Sequence, residues 1–213
     1  MIAGPAIPML GPGYAAVPPG HIATIVTSLE MLRPPCSRPP RPLPAGLRLE
    51  PLVPADPDSY RGLFRAVGAD WLWFSRLTMP EDALAAILAD PRVEIRALRR
   101  GGQNVGMLEL DFREAGTCEL VFLGLTQDLI GNGLGRALMD EAIRRAWSRP
   151  IARFWVHTCT LDHPGALAFY RRSGFEPYAV HVEVAPDPRL TGALPRDCAA
   201  HIPRLDGGGR GRP

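Results

Sequence analysis

The amino-acid sequence predicts an α+β fold built on one mixed sheet with flanking helices. Three features carry the prediction: strand-like runs between residues 93 and 125 separated only by short breaks, a switch to alternating helix and strand patterns after residue 125, and a glycine-rich bend at that switch. Short breaks require antiparallel neighbours, and the β-α-β order that follows adds a local parallel pair.

The chain of 213 residues is 46% hydrophobic, enough to bury the core of one domain. All 24 basic residues are arginines, the formal net charge is +2, and no basic stripe points to nucleic acid. Cys36, Cys118, Cys159 and Cys198 lack CxxC spacing and read as free thiols of a reducing cytoplasm. The first twenty residues are apolar but proline-broken, with no basic n-region, so they make a poor signal peptide. No later run spans a membrane.

Taken in order, residues 1–46 form a Pro/Gly-rich arm containing one strand-like run, HIATIVTSLEM at 21–31, suited to a sheet edge or a partner. The compact domain is expected over 47–185, with a tail over 186–213 whose Gly/Arg-rich ending, 206–213, is expected to be flexible. LRLEPL opens the domain as a short strand, Asp56 offers an N-cap to a helix over 60–67, and a second helix is expected over 80–88. VEIRALRR, NVGMLELDFRE and TCELVFLGL are the meander strands, broken at Gly101-Gly102 and Ala115-Gly116. GLGRALMDEAIRRAW then has Leu134, Ala137, Leu138 and Ala142 at helical spacing. ARFWVHTCT reads as a strand, HPGALAFYRRSG as a helix started by Pro164 and ended by Gly174, and FEPYAVHVEV as the last strand.

The bend Ile130-Gly131-Asn132-Gly133-Leu134-Gly135-Arg136 leaves a strand and opens a helix, where unobstructed N–H groups form an anion site and Arg136 adds charge. A dinucleotide fingerprint would need a glycine where Arg136 stands and an acidic residue about 20 positions on, and a P-loop would need GK[ST]; neither is present. A glycine turn without a ligand is the remaining alternative.

This bend resembles the acetyl-CoA pyrophosphate loop of the GNAT superfamily, Q/R-x-x-G-x-G/A, with Gly133 and Gly135 on its glycines and Ile130 on its Q/R position. The stretch from Asp162 to Phe175 is similar to the family's N-x-x-A-x-x-x-Y-x-x-x-G-F ending, with Asp162 read as replacing the Asn. The resemblance covers about Leu47 to Val184. It implies a mostly antiparallel twisted sheet in which two parallel strands splay, acetyl-CoA as co-substrate with its pantetheine in the gap and touching Asp162, and transfer of the acetyl group to a primary amine. An acyl-CoA-binding or protein-interaction module on the same fold is the alternative.

Amine acetylation needs a base, an oxyanion donor and a proton for the departing thiolate. Glu119, in the apolar run CELVFLGL, is the first candidate base; a two-residue turn at Ala115-Gly116 would put it opposite Phe112 and on the face of Leu110, surroundings that raise a carboxylate pKa. Glu109 and Asp111, then on the other face, are the reserves, and an ion pair with an arginine is the alternative role for Glu119. Tyr170 falls at the family's Tyr position and is the candidate acid, with core packing as its alternative. A backbone N–H among Leu123, Gly124 and Leu125 is the oxyanion donor. Trp71, Trp73 and Arg76 lie where the family carries its acceptor-covering segment, with plain core packing as the equal alternative, and Arg76 in the pocket would favour a carboxylate- or phosphate-bearing acceptor. His157, Cys159, Asp162 and His163 fall short of a directed tetrahedral set, so no metal is assigned; lining the acceptor or cofactor cleft is the functional role read for His157, with ordinary packing as the alternative. A small-molecule amine is the expected partner, with no nucleic acid or membrane; a homodimer through a sheet edge remains open.

Overall fold

A computed structural model describes residues 9–35, 41–52 and 56–206; Cys36 lies outside this set. Seven strands form one sheet: β1 (His21–Met31), β2 (Leu47–Pro51), β3 (Val93–Arg100), β4 (Gln103–Asp111), β5 (Thr117–Leu125), β6 (Arg153–Cys159) and β7 (Glu176–Pro186). The helices are α1 (Pro57–Gly68), α2 (Ser75–Thr78), α3 (Glu81–Ala89), α4 (Leu134–Ala146) and α5 (Ala166–Ser173). The strand order is β2-β3-β4-β5-β6-β1-β7, and β5 with β6 is the parallel pair.

The run at 21–31 does not cap an edge. β1 is inserted between β6 and β7 and pairs antiparallel with both, Val26 facing Cys159 on one side and His181 on the other. Its alternation serves two surfaces: Leu29 and Met31 are buried in the core, whereas Ile22 and Thr24 face a cleft.

Period-two alternation divides the core. Leu108, Leu110, Leu120, Phe154 and Val156 pack on Met139 and Ala142 of α4 and Tyr170 of α5. On the opposite face Met107 and Ala97 meet Tyr60, Leu63, Phe64 and Val67 of α1 and Leu84 of α3. α1 is started by Asp56, whose carboxylate accepts from the N–H groups of Asp58 and Ser59 at 3.0 and 2.9 Å. α5 begins at Ala166, two residues past Pro164, and ends at Gly174 with φ +106°, a left-handed stop that glycine adopts without strain.

The β4–β5 connection is longer than a two-residue turn: β4 ends at Asp111 and β5 starts at Thr117. Glu119 therefore lies opposite Asp111, not Phe112, and shares a face with it rather than with Leu110. A register shift beside Glu109 pairs that residue with Phe122.

The segment after β7 folds back. The buried Asp187 and Arg189 form a bidentate pair, with Arg189 Nε and Nη2 donating at 3.0 and 2.8 Å, while Nη1 donates to the Ile202 carbonyl at 2.9 Å. Leu194 and Ala199 thereby pack on Ile22, Leu72 and Leu161. Among the described residues, no helix is long and apolar enough to cross a membrane.

Candidate active site

β5 and β6 pair only over three rungs, Thr117 with Arg153 through Glu119 with Trp155. Beyond them a cleft of about 580 Å³ is lined by Val121 to Leu125 on one strand and by His157 and Cys159 on the other. It meets the N-terminus of α4 on one side of the sheet and the segment joining α1 to α2 on the other.

At the first mouth, Gly131 and Gly133 have φ +87° and +76°, and no side chain caps α4; the Arg136 N–H donates to the Gly133 carbonyl at 3.1 Å, which leaves the N–H groups of Leu134 and Gly135 in the first turn for a ligand. A Cβ on Gly131 would meet nothing within 4 Å; glycine is needed there for its backbone angle rather than for space. Gly131, Gly133, Gly135, Ile130 and Arg136 line the cleft. Leu134 turns its side chain into the core at 4% exposure and Asn132 is exposed, and neither lines the cleft.

Two further cations stand here. Arg136 Nε is held by Asp140 at 3.0 Å, and the backbone N–H of Arg41 donates to the same carboxylate at 3.2 Å. A Cβ placed on Gly133 would lie 3.6 Å from Arg41 Nη1. Arg41 was missed in the sequence because a Pro-rich arm carries no periodicity that locates it. Arg172, also on the lining, is joined to Arg136 through its carbonyl at 3.5 Å. Uncapped amides with arginines around them suit a diphosphate.

In the gap, Leu123, Gly124 and Leu125 follow one wall. Gly124 is obligatory: a Cβ there would stand 2.4 Å from Val67 Cγ1 and 3.1 Å from Trp73 Cη2. Tyr170 reaches the cleft from α5, and burial, with the Asp162 charge adding, pushes its hydroxyl pKa well up, so it stays protonated and can donate.

Asp162 is engaged inside the protein. It accepts from Trp73 Nε1 at 2.9 Å, Thr158 Oγ1 at 2.7 Å and the Cys159 N–H at 2.9 Å. Counted back from Tyr170, the Asn position of the family ending falls on His163, which lines the cleft and meets Trp71 edge-on at 5.3 Å.

On the far side, His157 lines the cleft and Glu119 does not. Glu119 Oε1 lies 3.5 Å from His157 Nδ1, and its hydrogen bond, then its charge with those of Asp162 and Glu183, raises the imidazole pKa. An imidazole backed by a carboxylate can take a proton from an incoming nucleophile.

The reserves prove unsuited. Glu109 is wholly buried; burial raises its pKa against the opposing pull of Arg76 at 2.6 Å and of the Tyr60 hydroxyl that donates to it. Arg76 is 7% exposed and spent on this pair, so neither it nor Glu109 reaches the cleft. Asp111 is also off the cleft, and although burial pushes its pKa up, the Arg113 side chain and N–H hold it down. Trp71 and Trp73 do form the cleft wall.

The model of the acetyltransferase (GNAT) family matches residues 61–175, more than half of the chain. The chain belongs to the GNAT acetyltransferase family. Among curated relatives, this GNAT chain is 30% identical over 145 residues to a mycothiol acetyltransferase of Clavibacter michiganensis, covering 67% of itself and 47% of the relative, so it spans about half the length of that protein. A mycothiol acetyltransferase of Beutenbergia cavernae is 34% identical over 38% of the chain and 27% of the relative. The fold is shared with a GCN5-related N-acetyltransferase from Sphaerobacter thermophilus (17% identity, TM-score 0.57, 89% of this chain and 55% of that one). It is also shared with one from Kribbella flavida (19%, 0.50, 81% and 63%). The family generally uses acetyl-CoA as co-substrate.

Proposed function

We propose that this GNAT enzyme transfers the acetyl group of acetyl-CoA to the nitrogen of a small-molecule primary amine, by direct attack within a ternary complex. The observation that carries the reading is the cleft itself. It joins an uncapped, arginine-flanked helix N-terminus on one side of the sheet to a carboxylate-backed imidazole on the other, through the gap between β5 and β6.

In this reading, the N–H groups between Gly131 and Gly135, with the side chains of Arg136 and Arg41, hold the diphosphate. The amine nitrogen attacks the thioester carbonyl carbon, its proton passes to His157, and Glu119 steadies the imidazolium. A backbone N–H among Leu123 to Leu125 meets the developing oxyanion. The carbon–sulfur bond breaks and the Tyr170 hydroxyl gives its proton to the sulfur; His157 and Tyr170 then exchange protons with solvent. Asp162 acts through Trp73 by fixing the wall, not on the reacting atoms.

Thiol release from acetyl-CoA, followed over a panel of amines that includes a mycothiol-related one, tests the reading. Turnover reduced roughly a hundred-fold or more in both His157→Ala and Tyr170→Phe supports it. Coenzyme A binding without turnover of any amine would replace it with the acyl-CoA-binding module.

A further inference from the structure

The charges around the cleft are segregated. Its lining arginines, Arg136 and Arg172, belong to α4 and α5, where the glycine bend lies. The other end is walled by Trp71, Leu72, Trp73 and Phe74 from the segment after α1, and by Ile22 of β1 and Ala185 of β7. Its ionisable groups are Glu183, His157 with Glu119 behind it, Asp162, and His163 against Trp71. Arg76, the one arginine the sequence placed near this wall, is cancelled by Glu109 beneath it.

We infer that the acceptor is a cationic primary amine with an apolar or aromatic body and no carboxylate or phosphate group. Trp71 and Phe74 receive the body, and Glu183 attracts the ammonium; His157 takes its first proton and releases it to solvent, and is then free to take the second when the neutral nitrogen attacks. This rests on the acetyltransferase reading above and adds the substrate class to it. An ammonium gains from the carboxylate and from the aromatic faces, and burial of the apolar body supplies the bulk of the affinity. A carboxylate on the acceptor would meet like charge with no arginine to compensate it, the arrangement by which sites reject a wrong ligand.

Matched pairs test this: tryptamine against tryptophan, and phenethylamine against phenylalanine. Each is assayed for thiol release at saturating acetyl-CoA and titrated calorimetrically into the coenzyme A complex and into the free protein. The amines should exceed their amino acids by roughly ten-fold or more in kcat/KM and in affinity. Glu183→Gln should narrow that gap, and Glu183→Arg should reverse it. Equal or better use of the amino acids, or an unchanged gap in both variants, would overturn the inference, as would failure of both amines to bind or react. If coenzyme A itself fails to bind, the acetyltransferase reading falls, while the titrations into free protein still decide whether the aromatic end prefers the amines.

Discussion

The indole N–H of Trp73 donates to Asp162 Oδ1 at 2.9 Å, tying the segment after α1 to the end of β6. This bond crosses the cleft wall, and two more donors, Thr158 Oγ1 and the Cys159 N–H, converge on the other carboxylate oxygen. Trp73 is further wedged against Gly68, where a Cβ would come within 2.5 Å of it, and tilts against Phe64 at 5.6 Å. The far wall of the cleft is thus held by one carboxylate and one aromatic side chain.

Asp162→Ala should therefore destabilise the fold by about 2–3 kcal/mol, since three donors lose their acceptor. Urea denaturation measures this. Asp162→Asn, which keeps an acceptor oxygen for Trp73, should lose less. A change below about 0.5 kcal/mol in the alanine variant would mean that water replaces the carboxylate.

The Glu119–His157 pair fixes a pH dependence. Because the carboxylate favours the imidazolium, the folded pKa of His157 lies above its ordinary value of 6.5. The stabilisation from the pair is fully present below the unfolded pKa and is lost as pH rises through the folded one. Activity runs the other way: it needs neutral His157, so the acidic limb of the rate profile should sit above 6.5. Glu119→Gln should move that limb to lower pH; a limb that stays in place would separate Glu119 from the reaction.

Arg76 and Glu109 should behave as a structural pair. Arg76→Ala leaves a wholly buried carboxylate without its cation and should cost about 3–5 kcal/mol in chemical denaturation. The fraction that remains folded should bind coenzyme A with unchanged affinity, because neither residue lines the cleft.

Arg41 should matter for the co-substrate alone. Arg41→Ala should weaken coenzyme A binding by about 1.4- to five-fold, since an exposed charge contact is worth ~0.2–1 kcal/mol. The melting temperature of the unliganded protein should hardly change. Calorimetry and thermal melts together check this.

The succession of elements was legible because each is written locally: Asp56 before α1, alternation in β3 to β5, helical spacing from Leu134 to Ala142, Gly174 after α5. The place of the glycine bend on the cleft was legible because its residue types suit close backbone approach, and that of Tyr170 because it falls at the Tyr position of the family ending. What could not be read was pairing at a distance. Nothing local to residues 21–31 says that they enter between β6 and β7. Likewise, the choice between Glu109 and Glu119 as the buried carboxylate turned on a connection longer than two residues and a register shift beside Glu109. Arg76 looked available to a ligand because its partner stands 33 residues away on a neighbouring strand.

A crystal structure of the coenzyme A complex tests the central claim most directly. The account predicts the diphosphate within hydrogen-bond reach of N–H groups between Gly131 and Gly135, the pantetheine running between β5 and β6, and the sulfur near the Tyr170 hydroxyl. A diphosphate bound elsewhere, or a bend at Gly131 to Gly135 closed over its own amides, would contradict it.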